Sequence, residues 1–322
     1  MLSQAVADEA AAKRWRDLYP FESHWLDLGE DRLHYLDVGP DVGPAAAAGA
    51  DFDSTPTLLF VHGNPTWSFH WRRLIEQQRG THRCVAIDHI GCGLSSKPQR
   101  ALRLADRIHD LVRLIDTLDL KRVTLVAQDW GGAIGLGAML ERQALLERIV
   151  LFNTGAFPPP SIPRRIAVCR TPLVGKLALQ GGNLFSLAAL RMTLARRARL
   201  APSVEAGYLA PYDTWPNRRA VREFVVDIPR SGRHPTWTVL RQIEARLPEL
   251  AELPIKLIWG LRDWCFTPAC LERFEKHWPA ADVTRLSDVG HWVVEDAPEE
   301  ATDRLQEFLA KNASPEPLAA GA

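Results

Sequence analysis

Short apolar runs alternate along the chain with longer amphipathic stretches. The runs His24–Leu28, Arg32–Val38, Thr57–Val61, Arg83–Ile87, Arg122–Ala127, Arg148–Phe152, Ile255–Trp259 and Asp282–Leu286 predict strands. The later ones are almost continuously apolar, as suits strands buried on both faces of a parallel sheet. Between them, helical periodicity predicts helices near Phe69–Gln78, Ala105–Leu118 and Gly132–Glu141. The first two strands read as an antiparallel hairpin through Gly29 and Asp31. The order is that of an α/β fold with a mostly parallel, eight-stranded sheet.

Two regions break this alternation. Pro40–Pro56 is rich in Ala, Gly, Asp and Pro and reads as a flexible surface loop. Residues 154–254 carry about a hundred residues of helical character, opening with Pro158-Pro159-Pro160. They read as a helical lid inserted between two strands. The expected division is a first core part over 1–153 (with the loop at 40–56), a lid over 154–254, a second core part over 255–312 and a disordered tail over 313–322.

Composition narrows the classes. The 322 residues hold 39 Lys+Arg against 39 Asp+Glu, so no overall basic field favours nucleic acid. Five cysteines without regular spacing argue against a disulfide framework and fit a reducing cytoplasm. Cys265 and Cys270 lie far from other Cys/His pairs, so no zinc site is expected, nor any other metal or cofactor. The N-terminal stretch lacks a signal-peptide pattern, and no uncharged apolar stretch is long enough to span a membrane. Within the lid, Ser161–Leu200 has Arg164, Arg165, Arg170, Lys176, Arg191, Arg196, Arg197 and Arg199 and no Asp or Glu. This basic stretch reads either as a solvated helix pair or as a surface for an acidic partner, an anionic lipid face or a carboxylate substrate.

The strongest chemical signal is Leu125-Val-Ala-Gln-Asp129-Trp-Gly-Gly132. A buried strand runs into an acid, and a small-residue helix start follows at once. That is the pattern of a nucleophile elbow, with Ala127 and Gly131 as the small flanking residues and Asp129 where G-x-S-x-G hydrolases carry serine. A carboxylate attacking an alkyl carbon forms an ester that can be cleaved again, whereas a serine would form a stable ether. An aspartate at a helix start is also an ordinary N-cap, so further signals must decide.

Three further signals do so. Phe60-Val-His-Gly-Asn-Pro-Thr-Trp67 follows a strand, and its His62-Gly63 turn offers backbone N–H groups that, with that of Trp130, suit an anion hole. Asn64 and Trp130 add neutral side-chain N–H donors for a halide or carboxylate. Asp288-Val-Gly-His291-Trp-Val-Val-Glu-Asp296 places a histidine in a loop after the last strand, where it can act as a base. The strand Arg148–Phe152 leads to Asn153-Thr-Gly-Ala without a carboxylate, whereas Ile255–Trp259 leads to Gly260-Leu-Arg-Asp263. Asp263 is therefore the expected partner of His291.

Together these motifs resemble the haloalkane dehalogenase branch of the α/β-hydrolases, from Tyr19-Pro-Phe-Glu to about Leu309. The resemblance implies Asp129 as nucleophile, Asp263 and His291 as the acid–histidine pair, and Asn64 and Trp130 as halide donors. The acid after the later strand matches two of the three subfamilies, and Asn in HGNP points to the third. Asp88-His-Ile-Gly-Cys-Gly-Leu-Ser95, Asn153-Thr-Gly-Ala-Phe-Pro158, Leu209-Ala-Pro-Tyr-Asp-Thr-Trp215 and Phe224-Val-Val-Asp-Ile-Pro229 look more specifically like the OleB-type β-lactone decarboxylases of bacterial olefin synthesis. That resemblance implies conversion of cis-3,4-dialkyl-oxetan-2-ones to cis-alkenes and carbon dioxide, with haloalkane hydrolysis as the alternative. It implies a small hydrophobic substrate with alkyl tails, other olefin-pathway enzymes docking on the basic lid segment Ser161–Leu200 (to be tested by charge reversal at Arg196, Arg197 and Arg199), and peripheral contact with a membrane. An epoxide hydrolase needs two lid tyrosines, for which Tyr208 and Tyr212 are poorly spaced. A non-catalytic binding module would be expected to lose part of the nucleophile–acid–base set.

Overall fold

The computed structural model describes residues 14–40, 55–171 and 173–313. Most of the expected loop at 40–56, and the expected tail beyond Ala313, lie outside the described residues. The eight strands are β1 (His24–Asp27), β2 (Arg32–Val38), β3 (Thr57–Val61), β4 (Arg83–Ile87), β5 (Val123–Asp129), β6 (Leu146–Thr154), β7 (Ile255–Gly260) and β8 (Asp282–Leu286). They form one sheet in the order β1-β2-β4-β3-β5-β6-β7-β8. The pairings of β2 with β1 and with β4 are antiparallel, and all others are parallel. Every residue of β3, β5 and β7 is buried, as apolar runs in a doubly covered sheet must be. The edge strands β1 and β8 alternate exposed with partly buried residues and carry charges, which discourages further pairing.

The core helices are α1 (Arg72–Gln78), α2 (Leu104–Thr117) and α3 (Trp130–Glu141). In α2 the buried Leu104, Ile108, Leu111, Val112 and Ile115 lie along one stripe facing the sheet. Helix α3 has no such stripe. Residues 131–140 are all buried, so this helix lies wholly inside the protein. Its first turn approaches β3 so closely that a Cβ on Gly131 would lie 2.0 Å from the Val61 carbonyl oxygen. Only glycine fits there.

Between β6 and β7 the chain is helical: α4 (Arg164–Cys169), α5 (Leu184–Met192), α6 (Pro202–Leu209), α7 (Arg219–Asp227) and α8 (Pro235–Arg246). The last elements are α9 (Pro268–His277) and α10 (Pro298–Lys311). The basic stretch Ser161–Leu200 is not one field of unpaired charge, because the cations at its C-terminal end meet acids. Arg196 grips Asp288 at 2.9 Å and Glu300 at 2.6 Å, Arg197 faces Glu299, and Arg191 and Arg199 both pair with Glu205. The buried Asp296 carboxylate accepts the backbone N–H groups of Ala195, Arg196 and Arg197. The nearby Glu205 and acids about a hundred residues away in sequence thus neutralise this end of the segment, and the distant ones fasten it to the core.

A second tie is fully buried. Arg72 on α1 meets Glu295 at 2.5 Å and 3.2 Å, and the Tyr208 hydroxyl of α6 donates to the same carboxylate at 2.7 Å. Removing one member of a buried pair strands the other without solvent. Arg72→Met is therefore expected to cost about 3–5 kcal/mol in urea unfolding. Arg72→Met combined with Glu295→Leu is expected to recover most of that loss, and a double variant as unstable as the single one would contradict the pairing.

Candidate active site

Asp129 ends β5 and immediately precedes α3. Its backbone sits at φ 55°, a left-handed conformation that is costly for a residue with a Cβ, by about 1–3 kcal/mol. The turn that imposes it is held from below, where the Thr154 hydroxyl donates to the Asp129 carbonyl. The strain lifts the carboxylate off the sheet and into a cavity of about 650 Å³ under the helical insertion. Asn64, Trp130 and His291 line the same cavity, while Asp263 is buried behind His291.

The distances define a line of charges. Asp129 Oδ2 lies 3.5 Å from His291 Nε2, and His291 Nδ1 lies 2.7 Å from Asp263 Oδ2. Burial alone would lower the histidine's pKa, but the Asp263 and Asp129 carboxylates outweigh it and raise the pKa to about 10. At neutral pH the ring is an imidazolium between two anions. Phe266 stacks on it with ring centres 5.5 Å apart. Asp263 accepts the N–H groups of Cys265 at 2.7 Å and Phe266 at 3.1 Å. Asn153 Nδ2 donates to it at 3.0 Å. Asn153, the penultimate residue of β6, occupies the alternative acid position, so the two places considered from sequence adjoin, and the amide at one supports the carboxylate at the other.

The anion hole differs in detail from the sequence expectation. The Gly63 N–H turns to Thr66 Oγ1 at 3.3 Å. The amide one residue later, that of Asn64, donates to Asp129 Oδ1 at 2.7 Å. The Asn64 side chain uses one N–H on the Val221 carbonyl of α7 at 3.1 Å, which leaves its second amide hydrogen for a ligand. The Trp130 indole lines the cavity and packs on Phe224, ring centres 5.6 Å apart. His62 is fully buried, and burial lowers its pKa to about 4, so it is neutral and structural. Tyr208 and Tyr212 direct their hydroxyls to Glu295 and to the Thr66 carbonyl, and neither residue lines the cavity. The two-tyrosine arrangement of an epoxide hydrolase is therefore absent from the described residues.

A buried relay that sequence reasoning missed supports His291 from behind. Gln128 Nε2 donates to the His291 carbonyl, and Gln128 Oε1 accepts from His70 Nε2. Burial lowers the His70 pKa to about 3, so the ring is neutral and its Nδ1 is an acceptor. The Tyr208 hydroxyl lies 2.7 Å from that Nδ1 and 2.7 Å from Glu295 Oε1, so its single proton faces two acceptors. The relay runs from α6 of the insertion to the backbone of His291. The available signal was a polar residue in an otherwise apolar strand, directly before Asp129.

The geometry agrees with the chain's similarities. Residues 58–304 match the model of the alpha/beta hydrolase family. The chain belongs to that family. It is 37% identical over 261 residues to the cis-3-alkyl-4-alkyloxetan-2-one decarboxylase of Shewanella oneidensis, covering 79% of this chain and 82% of that protein. The protein of the same name from Xanthomonas campestris is also 37% identical, covering 79% and 88%. Haloalkane dehalogenase 2 of Mycobacterium bovis is 31% identical, covering 77% and 86%. Among solved structures, the haloalkane dehalogenase DbeA from Bradyrhizobium elkani superposes with a TM-score of 0.79 at 26% identity, covering 91% of this chain and 98% of that one. Within the alpha/beta hydrolase family the chain thus stands in the haloalkane dehalogenase-like branch.

Two outcomes follow from this geometry. His291 has a folded pKa of about 10, above its ordinary 6.5. Its charged contacts therefore contribute stability fully below pH 6.5, and the contribution is lost as pH rises toward 10. The stability gap between the parent and His291→Gln is expected to shrink across that window in urea titrations, and a gap that widens would refute the imidazolium. Gln128→Leu removes the support behind the His291 backbone. It is expected to lower kcat about tenfold to a hundredfold with KM within about twofold, and an unchanged kcat would exclude a positioning role.

Proposed function

We propose that this alpha/beta hydrolase family enzyme decarboxylates cis-3-alkyl-4-alkyl-oxetan-2-ones to cis-alkenes and carbon dioxide. The observation that carries the reading is the cavity itself. A single carboxylate with anion donors stands on the floor of a space walled almost entirely by hydrocarbon and aromatic side chains, in a chain 37% identical to two proteins named for that reaction. A small substrate with alkyl tails fits such walls.

The chemistry balances without water. Asp129 attacks the ring carbon that bears the lactone oxygen, and the carbon–oxygen bond breaks to free a carboxylate. Asn64 and Trp130 hold that carboxylate by N–H donation. The bond to the carboxyl carbon then breaks, its electron pair forms the double bond, and Asp129 leaves as a carboxylate beside the His291 imidazolium. Attack opposite the ring oxygen sets the two breaking bonds anti to each other, so tails that start cis end cis. In this cycle His291, held by Asp263, stabilises the charge that Asp129 loses and regains, and it takes no proton from water.

Haloalkane hydrolysis is the second reading, favoured by the short Asp263–His291 contact and by 31% identity to a haloalkane dehalogenase. Esterifying Asp129 would remove one of the two anions that keep His291 protonated and lower its pKa toward that of a base. A further part of the proposal is a cytoplasmic setting, which suits five cysteines that are all free thiols. No helix among the described residues is long and apolar enough to cross a membrane. As for pathway enzymes on the basic segment, the engaged Arg196, Arg197 and Arg199 leave only its opposite end, around Arg164 to Lys176, for any partner.

A paired assay separates the two chemistries. A cis-3,4-dialkyl β-lactone is expected to give alkene far faster than a long-chain bromoalkane gives halide, with no oxygen-18 from labelled water retained in Asp129. Asp129→Asn is expected to abolish alkene formation, by about a thousandfold or more. Rapid halide release without alkene would establish the dehalogenase.

A further inference from the structure

The helical insertion exposes hydrocarbon where a soluble surface would be polar. Among the described residues nine large hydrophobic side chains are exposed, and five of them fall within one stretch of twenty residues. These are Val168, Leu173, Leu177, Leu184 and Leu187, with Leu173 at 74% and Leu177 at 57% exposure. Isolated exposed leucines are ordinary, but a concentration of this kind marks a contact surface. The same stretch contains no Asp or Glu, and none occurs from Ser161 to Val204.

Its cations fall into two sets. Arg191, Arg196, Arg197 and Arg199 are paired with acids, and Arg170 donates to the Val225 and Ile228 carbonyls. Arg164, Arg165 and Lys176 are exposed, and among the described residues no ion pair reaches them. Arg165 lies 5.4 Å from the Trp264 ring centre and Lys176 lies 5.9 Å from that of Trp215, itself exposed.

This face is continuous with the cavity. Ile166, Leu179 and Phe185 line the cavity from within, while Val168, Leu177 and Leu187, each two residues away in sequence, are exposed. Leu184 and Arg165 do both, being exposed and also lining the cavity, so the cavity opens at this face.

We propose that the 164–187 face docks on an anionic phospholipid bilayer and that hydrophobic substrate enters the cavity from the bilayer. The exposed leucines would sit among acyl chains, with Arg164, Arg165 and Lys176 at the phosphates. A protein partner would need acids opposite the cations and donors opposite polar groups, whereas the exposed side chains of residues 164–187 are hydrocarbon and positive charge apart from Thr171. The route of substrate entry rests on the lactone reading, because a lactone with two long tails partitions into lipid. The docking itself does not rest on it.

The test is co-sedimentation of the full chain with vesicles of phosphatidylcholine alone or mixed with phosphatidylglycerol. The parent is expected to bind the mixed vesicles and not the neutral ones. Leu173→Glu with Leu177→Glu is expected to reduce the bound fraction at least about tenfold, and so is Arg164→Glu with Lys176→Glu. A charge-matched control on α10, Arg304→Glu with Lys311→Glu, is expected to bind like the parent. All variants are expected to retain turnover of a short-chain, water-soluble lactone. No binding by the parent, equal binding to both vesicle types, or equal loss in the control would overturn the proposal. So would self-association through the two leucines in place of lipid binding, which would assign the face to a second copy. Sedimentation is read without turnover, so its failure leaves the lactone reading intact, and failure of the lactone assay leaves the docking result standing.

Discussion

Asp129 and Asp263 both face one imidazole beside a cavity whose walls are hydrocarbon. Two poorly solvated carboxylates on opposite nitrogens of one ring are costly without a cation between them, and His291 as an imidazolium is what makes the arrangement tolerable. The rest of the site serves that balance. Asp263 accepts two backbone N–H groups and the Asn153 amide, so its carboxylate is fixed in position. Asp129 has one oxygen held by the Asn64 N–H and the other turned toward the histidine. The state of the Asp129 carboxylate then depends on how firmly the imidazolium is placed.

That placement is assembled from distant parts of the chain. His291 lies in a loop, and a loop alone would not hold an imidazole to within tenths of an ångström. Gln128 holds its carbonyl, His70 holds Gln128, and Tyr208 joins His70 to the buried Arg72–Glu295 pair. Tyr208 belongs to the insertion, and the other members belong to the core and the His291 loop. Seating the insertion and seating the histidine are therefore one event. The Asp296 carboxylate repeats the logic, since it binds the Gly290 N–H beside the histidine at 2.7 Å and the insertion's backbone at 195–197.

Much of the fold was legible because its signals are local. Short runs of apolar or alternating residues predicted all eight strands, and β2, β3, β4 and β8 have the same ends in the structure as in the sequence reading. The strand β5 runs two residues past its apolar run, through Gln128 and Asp129, because polar side chains there find buried partners that no local pattern announces. Four of the five residues singled out from motifs line one cavity and Asp263 stands behind His291, since each motif sits at the end of a strand and the strand ends converge. Gln128, His70 and Asn153 were not singled out. Their importance comes from what they touch, and their partners lie 58 to 163 residues away.

The basic stretch of the insertion shows why composition alone misleads about surfaces. Eight cations without an acid within Ser161–Leu200 read as one field, yet tertiary pairing divides them. The C-terminal half meets the acids of the 288–300 segment and of Glu205, so its charge fastens the insertion to the core. Residues 164–187, before the paired arginines begin, keep the exposed cations Arg164, Arg165 and Lys176 and carry the exposed Leu173, Leu177, Leu184 and Leu187 and an opening of the cavity. Fastening at one end and exposure at the other follow from a single constraint. An apolar cavity needs a roof that is held in place, and a roof with apolar residues on its inner side has few positions left for them on its outer side unless something apolar covers that side too. Hydrocarbon on both sides of the 164–187 helices is therefore unfavourable for a surface that faces only water, and it becomes reasonable for one that passes a hydrophobic molecule from one apolar phase to another.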